Sequence, residues 1–228
     1  MLIANIGLQH FGSLEKAKEL IKLSNDSGAD LIKGTAINSL YHGPMDREFY
    51  EMTSFSFDEY IELIDYAKSI GNDLLFDIYG NQNESLNIYQ SWSSIHSENL
   101  DRYKLEEIDK DNILVFIDNN IFPPVLFKAN IIYTMDSLSD NPNLERIEIL
   151  RKVYNRNIGF KDKTIGIKNC IKANDEYHCL IIEKNITLEK GILFKGKTIE
   201  ENIYSCLPKQ FEELANNLMV FKEDIILH

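Results

Sequence analysis

Four lysines stand where short apolar runs end: Lys33 after Leu31 and Ile32, Lys161 and Lys163 at and just beyond Asn157 to Lys161, and Lys184 at the end of Cys179 to Lys184. Gathered at one mouth of a fold, ammonium groups concentrate small anions such as phosphates and carboxylates, because a cleft focuses the field. A lysine there can also steady a developing alkoxide, or act as a Schiff-base amine if neighbouring charge depresses its pKa. Each has a plainer reading too, in which the stem packs and the ammonium reaches water. Asp77, Asp118 and Asp136 end further runs and could pair with the lysines into a neutral mouth that needs no ligand. His10 follows the first run and is either a general acid or base titrating near neutrality or a turn histidine bonded to backbone.

Strands must hold these residues, and eight short runs qualify: Leu2 to Leu8, Asp30 to Lys33, Leu74 to Ile78, Ile88 to Trp92, Ile113 to Ile117, Ala129 to Tyr133, Asn157 to Lys161 and Cys179 to Lys184. Apolar runs of this length suit strands buried on both faces of a parallel sheet. Helices alternate with them. Ser13 opens one whose Leu14, Ala17, Leu20 and Ile21 share a face before Gly28 stops it. Ser56 and Glu59 form a capping box for another, with Phe57, Tyr60, Ile61, Ile64 and Ala67 on its apolar face and Gly71 at its end. Further helices are predicted near Asn99 to Ile108, Pro142 to Val153, Ile165 to Ala173 and Pro208 to Val220.

The alternation predicts an α/β chain forming a single (β/α)8 TIM-type barrel domain over residues 1–228. It is shortened around the fifth to sixth strand connection, where Pro123 and Pro124 occupy a stretch too short for a crossover helix. The active sites of such barrels lie at the carboxy-terminal ends of the strands. His178 and Cys179 sit at the opposite end, which favours core packing over a metal site there.

Acidic side chains number 36 against 24 basic ones, a formal net charge of −12 that repels nucleic acid. No apolar run approaches the ~18 residues that span a bilayer, so no membrane partner is expected. Leu2 to Leu8 lacks the charged region and cleavage site of a signal peptide. Cys170, Cys179 and Cys206, without CxxC spacing, suit free thiols and hence the cytoplasm.

Several segments carry a resemblance. IANIGLQHFGSLEKAKELI followed by GADLIKG is similar to the opening of the sialic acid (N-acetylneuraminate) synthase family, IAEIGxNHxGS and then GAxxVKxQ. FSFDEYIELIDYAKSIG resembles that family's second helix, IGFKDKTIG its GYSDHTxG, EKNITLEKG its EKHFTLDR, and SCLPKQFEELA the last turn of its barrel. The resemblance implies condensation of phosphoenolpyruvate with an N-acylated amino sugar to a nine-carbon acid, on a β/α-barrel. It also implies a divalent metal, manganese or magnesium, and a carboxy-terminal antifreeze-like domain that has no counterpart in these residues. Lys33 matches the phosphoenolpyruvate-binding lysine, and Ser93, Asp162, Thr164, Glu183 and His10 are kept.

Departures fall on the chemistry. Asn5 replaces a glutamate, Lys163 and Asn185 replace metal-binding histidines, Gln90 replaces the strand-four lysine, and Tyr133 a sixth-strand histidine. GILFKG rebuilds the GPDH loop, and Trp92 replaces a ligand-facing glycine, so its bulk is expected to fill part of the mouth. The expected site therefore has Lys163 and His10 as catalytic groups, Lys33, Ser93, Lys161 and Lys184 as substrate-binding groups, and no inherited metal-ligand set. Two function classes follow: an altered, metal-independent synthase binding a small anion such as phosphoenolpyruvate, and a non-catalytic relative that binds a small anion or a protein partner.

Overall fold

The computed structural model describes residues 1–37, 47–79, 86–96, 110–118, 128–135, 142–194, 197–198 and 200–226. Its main sheet contains β1 (Leu2–Gly7), β2 (Leu31–Ile37), β3 (Leu74–Tyr79), β4 (Ser93–His96), β5 (Ile113–Ile117), β6 (Asn130–Thr134), β7 (Gly159–Asp162) and β8 (Ile182–Asn185). Neighbours run β3-β2-β1-β8-β7-β6-β5-β4, and each pair is parallel. This is the (β/α)8 TIM-type barrel, nearly closed. Only the β3 and β4 edges share no backbone ladder among the described residues. Side chains stitch that seam: Gln90 Oε1 accepts from the Phe76 N–H, Ser91 Oγ donates to Asp73 at 2.9 Å, and Ser94 Oγ donates to Asp77.

Strand alternation sorts the side chains. Leu2, Ala4, Ile6, Ile32, Val115, Ile131 and Phe160 face outward into the main core, against the apolar stripes of α1 (Leu14–Asp26) and α3 (Phe57–Ser69) among others. Between these helices α2 (Arg47–Thr53) packs Phe49 and Tyr50 into a small cluster of its own. Ile3, Leu31, Leu75, Leu114 and Ile132 face the barrel axis and fill its amino-terminal end.

Local sequence fixes the first helices as expected. Ser13 Oγ caps α1, and Ser56 with Glu59 forms the reciprocal capping box of α3. After β6 the chain differs: α4 (Glu145–Tyr154) begins beyond the expected Pro142, on Leu144 with no side-chain cap. α5 (Lys168–Asp175), a short hairpin of β9 (Leu193–Phe194) and β10 (Lys197–Thr198), α6 (Glu200–Tyr204) and α7 (Pro208–Ile226) complete the chain. The helix expected near residues 99–108 and the shortened connection with Pro123 and Pro124 lie outside the described residues, as does Asp136. No described helix is long and apolar enough to cross a membrane.

Strand four is displaced from its expected place. Ile88 and Tyr89 are largely exposed, in a helical turn before the strand, and the ladder begins at Ser93. Trp92 consequently lies at the amino-terminal end of the barrel, packed on the cluster of Ile3, Leu31 and Leu75 rather than in the mouth. β8 likewise starts at Ile182, later than the apolar run, leaving Cys179 buried in the core as the packing reading required.

The tightest backbone constraint is Gly12, in the turn between β1 and α1. Its φ of +74° is left-handed, and a Cβ there would come within 2.0 Å of the Met52 carbonyl oxygen. Gly12→Ala is expected to cost at least about 2 kcal/mol, from strain plus overlap with backbone that cannot swing aside. Urea unfolding of the purified variant reads this directly.

Candidate functional site

Above the apolar plug the axis becomes charged. Lys33 is the third residue of β2 rather than its last, and its side chain is wholly buried. Its Nζ lies 2.9 Å from Asp77 Oδ2 and 2.9 Å from Glu183 Oε2, and 3.8 Å from the centre of the Phe116 ring. Lys161 reaches the other oxygen of Glu183 at 2.9 Å. Asn5 Nδ2 donates to the same Oε1 at 3.0 Å, while its Oδ1 accepts from the Gly7 N–H at a register shift in β1. On the opposite wall Ser94 donates to Asp77, and His96 Nε2 stands 3.2 Å from Asp77 Oδ2 with its ring stacked on Phe116.

Two ammonium groups and two carboxylates therefore balance inside the barrel. Burial pushes the Asp77 carboxyl up, but Lys33 and His96 outweigh it and hold it well below the usual carboxylate range. Burial also raises Glu183, and the Lys161 and Lys33 charges reverse that, so it too sits below its ordinary value. The pairing of an aspartate with one of the four lysines, one of the alternatives open in the sequence, is realised between Asp77 and Lys33.

The other expected residues are dispersed. Lys184 does not face the mouth: with Glu183 turned inward, alternation sends Lys184 outward, beneath α5. There it bonds Asp162 at 2.9 Å and the Thr164 carbonyl, both partners fully or nearly buried. Ser93 opens β4 at the amino-terminal end, and its neighbour Ser94 is the one that reaches the charges. Lys163 follows β7 at the carboxy-terminal end and is half-buried, one step past the Asp162–Lys184 register and so beside Asn185.

His10 is buried in the β1 to α1 turn, stacked on Phe55 at 4.5 Å, with Nδ1 accepting from the Gly12 N–H at 3.0 Å. Burial lowers its pKa to about 4, so the ring is neutral at physiological pH. Here the backbone-bonded turn histidine is the arrangement found.

Three residues of this region escaped sequence reasoning as site residues: Glu183 as the hub of the lysines, His96 and Asn185. Counting in steps of two from Ile181 would have placed Glu183 and Asn185 on the inner face. Nothing in the local sequence marks His96.

The thiols are structural. Burial pushes Cys170 well above its ordinary value, with Asp162 adding to the effect, and lifts Cys179 to about 12 and Cys206 to about 11.

A divalent metal does not fit the described residues. Lys163 and Asn185 occupy the two expected ligand positions, and Asp77 and Glu183 are already neutralised by lysine. An ammonium at the rim repels a cation, and an amide oxygen is a weak ligand by itself. Among the described residues no three His, Cys, Asp or Glu side chains group as a metal set.

Comparison with known proteins bears on the fold. No protein-family model matches the chain. It superposes on N-acetylneuraminic acid (sialic acid) synthetase from Leptospira borgpetersenii, solved with citrate, with a TM-score of 0.80 at 21% identity, covering 98% of this chain and 84% of that one. The fold is that of the sialic acid synthetase barrel. Spore coat polysaccharide biosynthesis protein spsE from Bacillus subtilis superposes with a TM-score of 0.75 at 18% identity, covering 100% of this chain and 69% of the other. A truncated 3-deoxy-D-arabino-heptulosonate 7-phosphate synthase from Thermotoga maritima follows at 0.67 and 11%, covering 99% and 87%. In sequence, an uncharacterized protein of Methanocaldococcus jannaschii is 26% identical over 97% of this chain and 71% of its own length.

Two measurements probe the site. Lys33→Met leaves two buried carboxylates on Lys161 and is expected to cost about 3–5 kcal/mol, with part recovered when Asp77→Asn is added; denaturant unfolding of the single and double variants reads both. For His10, the unfolded ring takes its proton near 6.5 and the folded ring only near 4. Stability is therefore complete above pH 6.5 and falls by about 3 kcal/mol as pH drops towards 4. His10→Gln is expected to flatten that part of the stability–pH curve.

Proposed function

We propose that the chain is a divergent sialic-acid-synthase-like barrel of carbohydrate biosynthesis, acting in the cytoplasm. It condenses phosphoenolpyruvate, or a closely related small anion, with an N-acylated amino sugar without a metal. The observation that carries this reading is the charged layer itself. A buried ion network is no more stabilising than a well-packed apolar layer of similar volume. The barrel already has such an apolar layer just beneath it, in Ile3, Leu31, Leu75, Leu114 and Ile132. Keeping Lys33, Lys161, Asp77 and Glu183 at the axis is thus explained better by chemistry than by stability. Likeness over nearly the whole chain to a sialic acid synthetase and to a spore coat polysaccharide biosynthesis protein supports the same direction.

In this reading the methylene carbon of phosphoenolpyruvate adds to the aldehyde carbon of the open-chain sugar, whose oxygen takes up a proton. Water adds at the phosphate-bearing carbon, and inorganic phosphate leaves. Lys163 at the rim steadies the alkoxide that forms on the sugar, supplying one positive charge where a metal would supply two. Lys161 and Lys33, held by Glu183, orient the anionic end of the ligand. His10, neutral and backbone-bonded, shapes the turn rather than moving a proton.

One observation favours a second reading, a non-catalytic relative that binds an anion or a protein partner. The interior charges already cancel one another, so an anion must compete with Asp77 and Glu183 for the lysines.

Calorimetry separates the two. Phosphoenolpyruvate is expected to bind equally with and without manganese and to release phosphate when N-acetylmannosamine is added, and Lys163→Met is expected to slow that release at least about tenfold while leaving phosphoenolpyruvate affinity unchanged. Folded protein that gives neither heat nor phosphate would leave the non-catalytic reading standing. Lys33 is unsuitable as the control, because its removal threatens the fold.

A further inference from the structure

The mouth holds a polar side chain with nothing to bond. Asn185 is 1% exposed, and neither its Oδ1 nor its Nδ2 has a hydrogen-bond partner. It stands two residues beyond Glu183 on β8 and is the ladder partner of Asn5, so its amide lies on the axial side, one layer nearer the mouth than the ion network. Two strands away on β6, Thr134 is likewise axial, two residues beyond Ile132, and its Oγ1 is buried and unpartnered. Buried polar atoms are almost always paired, because one left without a partner has given up its bonds to water for nothing. Three such atoms on one arc of a barrel mouth are a standing demand for hydrogen bonds.

We infer that Asn185, with Thr134, is the specificity-determining contact for the neutral, hydroxyl- or N-acyl-bearing half of the substrate. The amide offers a donor and an acceptor side by side. A carboxylate or phosphate can satisfy only Nδ2, because Oδ1 needs an O–H or N–H. A vicinal hydroxyl pair or an acylamino group satisfies both. The anion is thereby directed to the lysines of β2 and β7, and the uncharged polyol to the β6 and β8 arc. The inference rests on the function proposed above only in taking this mouth as the binding site. It adds the residues that choose the sugar and the kind of group they choose.

The competing occupant is a trapped water, and a substitution distinguishes the two. Asn185→Leu has similar volume and no polar atoms, so it removes the demand whatever meets it. N-acetylmannosamine and N-acetylglucosamine are titrated into the wild type and the variant, and phosphoenolpyruvate separately into both. The expected result is at least about tenfold weaker binding of an N-acetyl sugar by the variant, phosphoenolpyruvate affinity unchanged, and a melting temperature no lower than that of the wild type. Thr134→Val is expected to weaken the sugar in the same sense. Asn185→Ala reads the same effect should the leucine variant not fold.

Sugar affinity indifferent to Asn185, equal loss of both ligands, or a wild type that takes neither sugar would each overturn the inference. A chain that binds the sugar through Asn185 but never binds phosphoenolpyruvate keeps the inference and sinks the proposed condensation.

Discussion

The interior of this barrel depends on one buried ion, the ammonium of Lys33, shared between Asp77 and Glu183. Through it β2 is tied to its neighbour β3 and, past β1, to β8, and Glu183 passes the connection to β7 through Lys161 and to β1 through Asn5. Two charges in a dry interior attract strongly, but withdrawing them from water costs nearly as much, so the network fixes geometry more than it adds stability. What it fixes is register. Sliding one strand by one residue would turn its charge into the helix layer and leave the partners bare.

Asp77 has a second duty at the seam. Among the described residues the β3 and β4 edges lack the ladder that joins the other neighbours, and the carboxylate that pairs with Lys33 also takes Ser94 and His96 from β4. A barrel with one unladdered edge would otherwise present open backbone donors and acceptors there. Charge therefore closes the cylinder where backbone hydrogen bonds do not, and catalytic-looking residues are at the same time structural ones.

Much of this was legible in the sequence, and the failures share a cause. α1 and α3 were readable because apolar period and capping residues agree at Ser13, Ser56 and Glu59. β4 was not, because Ile88 and Tyr89 look like a strand core while the true strand carries Ser94 and His96 on its inner face. A strand that serves a polar site loses the apolar signal by which strands are recognised. Lys184 shows the complementary limit. Strand ends locate a residue along the axis, but only parity says whether it faces the ligand or the helices, and an error of one residue decides the matter. The Asn185 amide was visible as a lost imidazole, yet that it lacks any partner is a fact of three dimensions.

Two of the departures from the synthase motifs, at Asn5 and Lys163, share a sign. Removing a divalent cation from a site strands the negative charge that balanced it, so the change is tolerable only if carboxylate is lost or positive charge gained nearby. Asn5 takes the place of a carboxylate, and its amide now donates to Glu183, where a second acid would crowd the same lysines. Lys163 puts an ammonium at the rim where the synthase motif has an imidazole. Gln90 runs the other way, giving up a lysine, but its amide is spent at the seam on Phe76 rather than among the charges. In the proposed reading these differences work together, amide and ammonium groups keeping the charge at the barrel axis balanced.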